Sequence, residues 1–138
     1  MIIRAEAVAK GRPRVTRSGH TFTPERTKEW EERVAWEYRK AIAEGRAESF
    51  GASEPVRAFL GFFYQVPKSY STKRRKACQD GSEAFTKHPD LDNLAKAILD
   101  ALNGIAYEDD RQVVDLHCVK GYSDSDAYVC IIIERKEG

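Results

Sequence analysis

A chain of 138 residues, 33% of them charged and 41% hydrophobic, has the composition of an ordinary soluble domain built on one core. No apolar run approaches the about 18 residues needed to cross a bilayer, and the basic start lacks the apolar stretch of a signal peptide, so the sequence predicts a cytoplasmic protein with no membrane contact. Cys78, Cys118 and Cys130 are odd in number, widely spaced and without a paired Cys/His arrangement, which argues against a zinc site and a disulfide framework and for reduced thiols.

The net charge of +1 hides a segregation. Residues 1–20 carry Arg4, Lys10, Arg12, Arg14 and Arg17 against Glu6 alone, and residues 68–88 carry Lys68, Lys73, Arg74, Arg75, Lys76 and Lys87 against Asp80 and Glu83. Between Pro89 and Leu116 the balance reverses, with seven acidic residues against Lys96 and Arg111. Basic arms around an acidic centre suit an enzyme that holds a polyanion next to a metal; a solvated charged surface is the plain alternative.

In chain order, Met1 to Val8 reads as a first strand, and Lys10-Gly11-Arg12-Pro13-Arg14 as an extended basic segment that Gly and Pro keep from helix, with a turn at Ser18-Gly19. Thr23-Pro24 predicts a helix start, the hydroxyl capping and the proline occupying the first position, for a helix running to about Gly45. Trp30, Val34, Tyr38, Ala41 and Ile42 form its inward face, while Trp36 falls out of that register. After a polar connector, Val56 to Val66 predicts a central strand closed by Pro67, and a short basic helix with Lys73, Arg74, Arg75 and Lys76 facing solvent or phosphate follows. Leu91, Leu94, Ala95, Ile98, Leu99 and Leu102 recur at helical spacing, and Asn103-Gly104 offers a left-handed end to that helix. Gln112 to Lys120 and Tyr128 to Arg135 predict two strands paired as a hairpin, the second interior to the sheet because of its Ile131-Ile132-Ile133 run. The main elements thus run β-α-β-α-β-β, an α+β single domain with helices packed on a mixed sheet.

The acidic centre carries the chemistry. Asp90 enters the second long helix, Asp92 and Asp100 lie on its polar face with Lys96 between them, and Glu108-Asp109-Asp110 precede the next strand. If that strand runs back along the helix, Asp110 approaches Asp90 and Asp92. Carboxylates so close raise one another's pKa unless a cation neutralises them, and hard oxygen donors suit Mg²⁺ or Mn²⁺. A helix cap, a surface ion-pair ladder and a turn account for the same residues without a metal.

Pro-Asp-Leu-Asp-Asn-Leu-x-Lys, then Asp-Ala-Leu-Asn-Gly, then Asp-Asp-x-Gln-Val-Val closely resembles the RusA family of Holliday junction resolvases, structure-specific endonucleases often encoded by prophages. The resemblance covers nearly the whole chain from Lys10 onward, but Ala5-Glu6-Ala7 stands where that family has a Gly/Pro-rich lead-in. It implies a Mg²⁺-dependent homodimer that cuts branched, four-way DNA by paired nicks, with Mn²⁺ as a possible substitute. It further implies Asp90, Asp92 and Asp110 as metal ligands, Lys96 as a fourth catalytic residue, and Lys10, Arg12, Arg14, Arg17, Lys73, Arg74, Arg75 and Lys76 as DNA contacts. Asp109 competes with Asp110 for the ligand position. An inactive DNA-binding or assembly module, another metal-dependent phosphoryl-transfer enzyme, and a Ca²⁺-stabilised structural protein are the alternatives, the last without the loop ligands of an EF-hand.

Overall fold

A computed structural model describes residues 1–11, 14, 15, 17, 19, 21, 22 and 24–137. The elements are β1 (Ile2–Ile3), β2 (Arg14–Val15), β3 (Thr21–Phe22), α1 (Glu25–Ala43), β4 (Val56–Gln65), α2 (Thr72–Asp80), α3 (Leu91–Ala101), β5 (Val113–Ser123) and β6 (Tyr128–Arg135), with a 3-10 turn at Asp110–Gln112. β2 and β3 form a small ribbon of their own, antiparallel, and the other strands make one sheet in the order β1-β6-β4-β5. This is an α+β fold on a mixed sheet.

β4 is central, as its apolar run predicts. Val56, Ala58, Leu60, Phe62 and Tyr64 alternate onto one face and are buried, in line with Val129, Ile131 and Ile133 of the antiparallel β6. The residues that α1 and α3 turn inward, among them Trp30, Val34, Tyr38, Leu94 and Ile98, complete that core, and the two helices pack on each other. Trp36, out of register, is 56% exposed, with the Lys40 ammonium 5.2 Å from its ring centre. The opposite face of the sheet keeps Ile2, Val119 and Ile132 exposed and Phe59, Phe63, Tyr128 and Cys130 half-buried.

Three expectations change. β5 and β6 do not pair as a hairpin: β4 lies between them, parallel to β5 and antiparallel to β6. A parallel neighbour needs a crossover of a dozen residues or more, which α2 and α3 supply, and the chain from Asp124 to Ala127 then passes the end of β4 to reach its far side. The first strand shrinks to Ile2–Ile3, the only part of Met1 to Val8 that ladders with β6. Of Asp92 and Asp90, either of which the sequence allows as the cap of α3, Asp90 takes the N-cap position, and without a side-chain capping bond. The proposed Thr23 cap lies outside the described residues; the helix begins behind Pro24.

The basic helix does form, capped by Ser71, whose Oγ accepts from the Arg74 amide at 3.2 Å, and ended by Gly81 at φ 87°. No helix among the described residues is long and apolar enough to cross a membrane.

Candidate active site

α3 owes its direction to its apolar stripe: Leu94, Ala95 and Ile98 are buried against the core, which turns Asp92, Lys96 and Asp100 away from it. β5 then runs alongside. Between them lies a cleft of about 610 Å³ lined by Asp92, Lys96 and Asp110 on the polar side and by Leu91, Ala95, Leu99, Leu116 and Cys118 on the apolar side. Asp90 does not line this cleft; its side chain is 60% exposed and lies 3.1 Å from Nδ1 of His88.

Asp110 is held there by its neighbours. Its backbone N–H donates to Asn103 Oδ1 at 2.9 Å, and Gly104, at φ 76°, turns the chain so that its own N–H reaches Tyr107 O at 2.8 Å. Gln112 is buried and spends its whole amide on this turn: Oε1 accepts from Glu108 and Asp109 at 2.9 and 3.1 Å, and Nε2 donates to Gly51 O and Glu54 O at 2.8 and 3.0 Å. A buried amide so fully satisfied is a rigid fastening. Tyr107, buried with its hydroxyl donating to Leu99 O at 2.7 Å, anchors the same loop to α3.

The two adjacent aspartates are thereby separated in role. Asp109 caps the 3-10 turn, accepting from the Arg111 amide at 2.9 Å, and pairs with the Arg111 guanidinium at 3.2 Å; that backbone bond first, then its hydrogen bond with Asp110 and Arg111's charge, lowers its pKa. Asp110 faces the cleft. Partial burial, then its hydrogen bond with Asp109 and the charge of Asp100, raises its pKa above the ordinary value. A carboxylate crowded by others is short of positive charge, and the cleft's donors are carboxylate oxygens, so its chemistry fits a hard divalent cation. Among the described residues no three of His, Cys, Asp and Glu converge into a closed metal cage. Such a cation commonly needs only one or two protein carboxylates, with waters and substrate phosphate completing its shell, and Asp92 and Asp110 are the two that could hold it.

Lys96 is 61% exposed, its ammonium 3.6 Å from Asp100 Oδ2. Asp100 also takes Lys10 at 3.2 Å, and Lys10 reaches Glu31 at 2.6 Å. Burial opposes the Lys10 charge, but the hydrogen bonds to Glu31 and Asp100 outweigh it and hold its pKa above the usual lysine value. The Lys10 backbone N–H meets Asn93 O at 2.9 Å, so this residue fastens the N-terminal segment between α1 and α3. Lys10→Ala is accordingly expected to lower stability by about 1 kcal/mol. It should leave the salt dependence of DNA binding unchanged, whereas replacing Arg12 and Arg14 together should reduce the log K against log salt slope by about 2. Thermal melting and a salt series of binding isotherms separate the two effects.

The remaining basic candidates divide as well. Arg74 is bonded to both oxygens of Glu83 at 3.0 and 3.1 Å and lies over the Tyr70 ring at 3.6 Å, and Arg75 donates to Pro67 O at 3.4 Å. Lys73, Lys76 and Arg17 are exposed. Arg14 lies on β2, and Arg12 is outside the described residues. Sequence reasoning missed Gln112 and Asn103 as the residues that aim Asp110, although both stand inside the motifs quoted above. A polar side chain next to a turn carries no sign of which amide it will meet.

Residues 5–134 match the model of the endodeoxyribonuclease RusA family, and the chain belongs to that family. The family comprises Holliday junction nucleases that as a rule depend on a divalent metal. The chain is also 35% identical over 127 residues to the uncharacterized protein YqaN of Bacillus subtilis (strain 168), an alignment that spans 88% of this chain and 86% of that protein.

Proposed function

We propose that this chain is a Mg²⁺-dependent endonuclease that resolves four-way DNA junctions, accepting Mn²⁺ in place of Mg²⁺ and working as a two-fold homodimer. The observation that carries the reading is the meeting of Asp92, Asp110 and Lys96 in one cleft of a chain from this family. Asp92 and Asp110 hold the cation, and Asp90, at the mouth of α3, joins them when substrate is bound. The cation, once bound, supplies a water of lowered pKa and neutralises charge on the scissile phosphate. Lys96, one turn beyond Asp92, reaches the phosphate oxygens or steadies the attacking water, and Asp100 keeps its ammonium over the cleft. Lys73, Lys76, Arg12, Arg14 and Arg17 draw in the DNA backbone. Cleavage of a four-way junction and of a linear duplex of the same sequence, compared in Mg²⁺, tests this. Equal rates on both would exclude junction specificity, and no cleavage of either would favour a binding module.

Two like-polarity nicks need two sites, and a two-fold axis provides the second. The sequence suggests α1 or a sheet edge as the contact, but among the described residues the open face of the sheet gathers the exposed Ile2, Val119 and Ile132. Gly61 and Gly121 lie beneath Phe63 there, and a Cβ on Gly61 would come within 2.7 Å of that ring. The ring stacks on its cross-strand neighbour Tyr128, centre to centre 4.8 Å. An apolar sheet face of this kind suits face-to-face stacking on its own copy. The nearby charges pair among themselves, Arg57 with Asp115 and Glu134, and Lys136 with Asp115, so two identical faces meet without repulsion. Ile132→Arg is expected to give a folded monomer by light scattering that nicks without resolving, while Trp36→Arg stays dimeric. A wild-type monomer at micromolar concentration with full resolving activity would remove the dimer from this reading.

A further inference from the structure

Lys120 sits on β5 directly across from Phe62, which is fully buried on the helix-packed face of the sheet. A lysine facing that way must find partners for its N–H donors or lose hydration without compensation. Its Nζ donates to Lys87 O at 2.8 Å and to Pro89 O at 2.9 Å, and it stands 5.0 Å from the centre of the Phe85 ring. Those two carbonyls bracket His88 and lead straight into Asp90. Phe85 in turn stacks on Tyr64 of β4 at 4.7 Å and meets Tyr122 of β5 edge-on at 5.0 Å. The segment from Phe85 to Pro89 is therefore tied to the sheet by one aromatic ring at its start and one ammonium at its end.

Asp90 needs such a tie. It forms no side-chain cap on α3, and its side-chain contact is with the exposed His88, so its direction is set by the backbone that delivers it. We infer that Lys120 is a positioning residue of the nuclease site: by holding the carbonyls of Lys87 and Pro89 it fixes the backbone from which Asp90, one residue before Leu91 of the cleft wall, turns its side chain to the cation, and so sets the affinity for the divalent cation. It touches neither cation nor DNA. Its donors are directed at main-chain carbonyls, which distinguishes it from the exposed lysines of α2. The inference rests on Asp90 being a ligand, as proposed above.

The test uses the full chain without DNA, and neither readout depends on catalysis. K120M keeps the aliphatic stem beside Phe85 and removes both donations; K120R restores donors; D90N removes the ligand and leaves the clamp. Amide hydrogen exchange over residues 87–91 reads the clamp, and Mn²⁺ titration followed by the electron paramagnetic resonance of the free ion reads its consequence. K120M is expected to exchange faster in that segment alone and to bind Mn²⁺ about tenfold or more weakly, the scale seen when residues behind a metal ligand are removed. K120R should bind within a few-fold of wild type, and D90N should bind weakly with its exchange protection intact. If K120M melts below the assay temperature, K120Q, which keeps one donor group, should fall between wild type and D90N in Mn²⁺ affinity. Wild-type Mn²⁺ affinity in K120M or K120Q, with weakened D90N, overturns the inference alone, whatever happens to melting temperature. Wild-type affinity in D90N overturns the ligand assignment and the inference with it.

Discussion

Asp92→Asn and Asp110→Asn are each expected to slow cleavage by more than about a hundredfold while junction binding survives. Loss of residues that merely support a metal ligand costs about 10- to 100-fold, and a ligand itself should cost more. Binding survives because the basic residues are untouched, and it tightens where a negative charge next to phosphate disappears. Asp110 adds a thermodynamic signature. Its folded-state pKa is raised above 3.8, so the stability it contributes is full below that value and is lost as pH rises through the raised pKa. Once ionised, the side chain is therefore a slight burden on the metal-free fold. Asp110→Asn should melt no lower than wild type in EDTA and gain less than wild type from added Mg²⁺. Single-turnover cleavage, binding in Ca²⁺ and melting with and without metal measure all three, and near wild-type turnover in either variant would remove that residue from the site.

The largest loss of stability is expected at Leu94. It is fully buried on α3, in the core that also takes Trp30 and Val34 from α1, so Leu94→Ala opens a cavity costing about 2–5 kcal/mol. Against a typical domain stability of about 5–15 kcal/mol, that leaves a substantial unfolded fraction on modest warming. The same helix carries Asp92 and Lys96, so cleavage should fall at temperatures where the fold still survives. Leu94→Met, which keeps the volume, should cost under about 1.5 kcal/mol and retain activity. Urea titration of both variants decides the matter; equal midpoints would mean that the α3 contact contributes little.

Much of this architecture is legible in the chain because it is written in local periodicity. The stripe on α3 and the Trp30-Val34-Tyr38 face of α1 predict which side goes inward, and the apolar run of β4 predicts its central place, since one element's pattern is enough for each. Strand partnership is different. β5 and β6 are separated by one short loop, and only the competing claim of β4, some fifty residues upstream, decides that they do not pair. The site shows the same division. Asp92, Lys96 and Asp110 share a cleft because one helix and one strand run together, which spacing suggests. The engagement of Lys10 by Glu31 and Asp100, and of Lys120 by two carbonyls, depends on surfaces distant in sequence, and a list of basic residues cannot separate those committed internally from those left for phosphate.

The position of β6 has a consequence for how the protein comes into being. The last strand lies between β1 and β4, and the amino group of Met1 itself donates to Ile131 O at 2.9 Å. Until residues 128–135 have left the ribosome, β4 lacks one of its two neighbours and β1 has none. Contacts between such remote parts of a chain form late and slowly. The acidic cleft, which depends on β5 lying firmly beside β4, is thus expected to assemble only after translation has passed the final strand. Ribosome-bound chains stalled before Tyr128 should be digested by protease throughout, whereas chains extended well past Arg135 should resist.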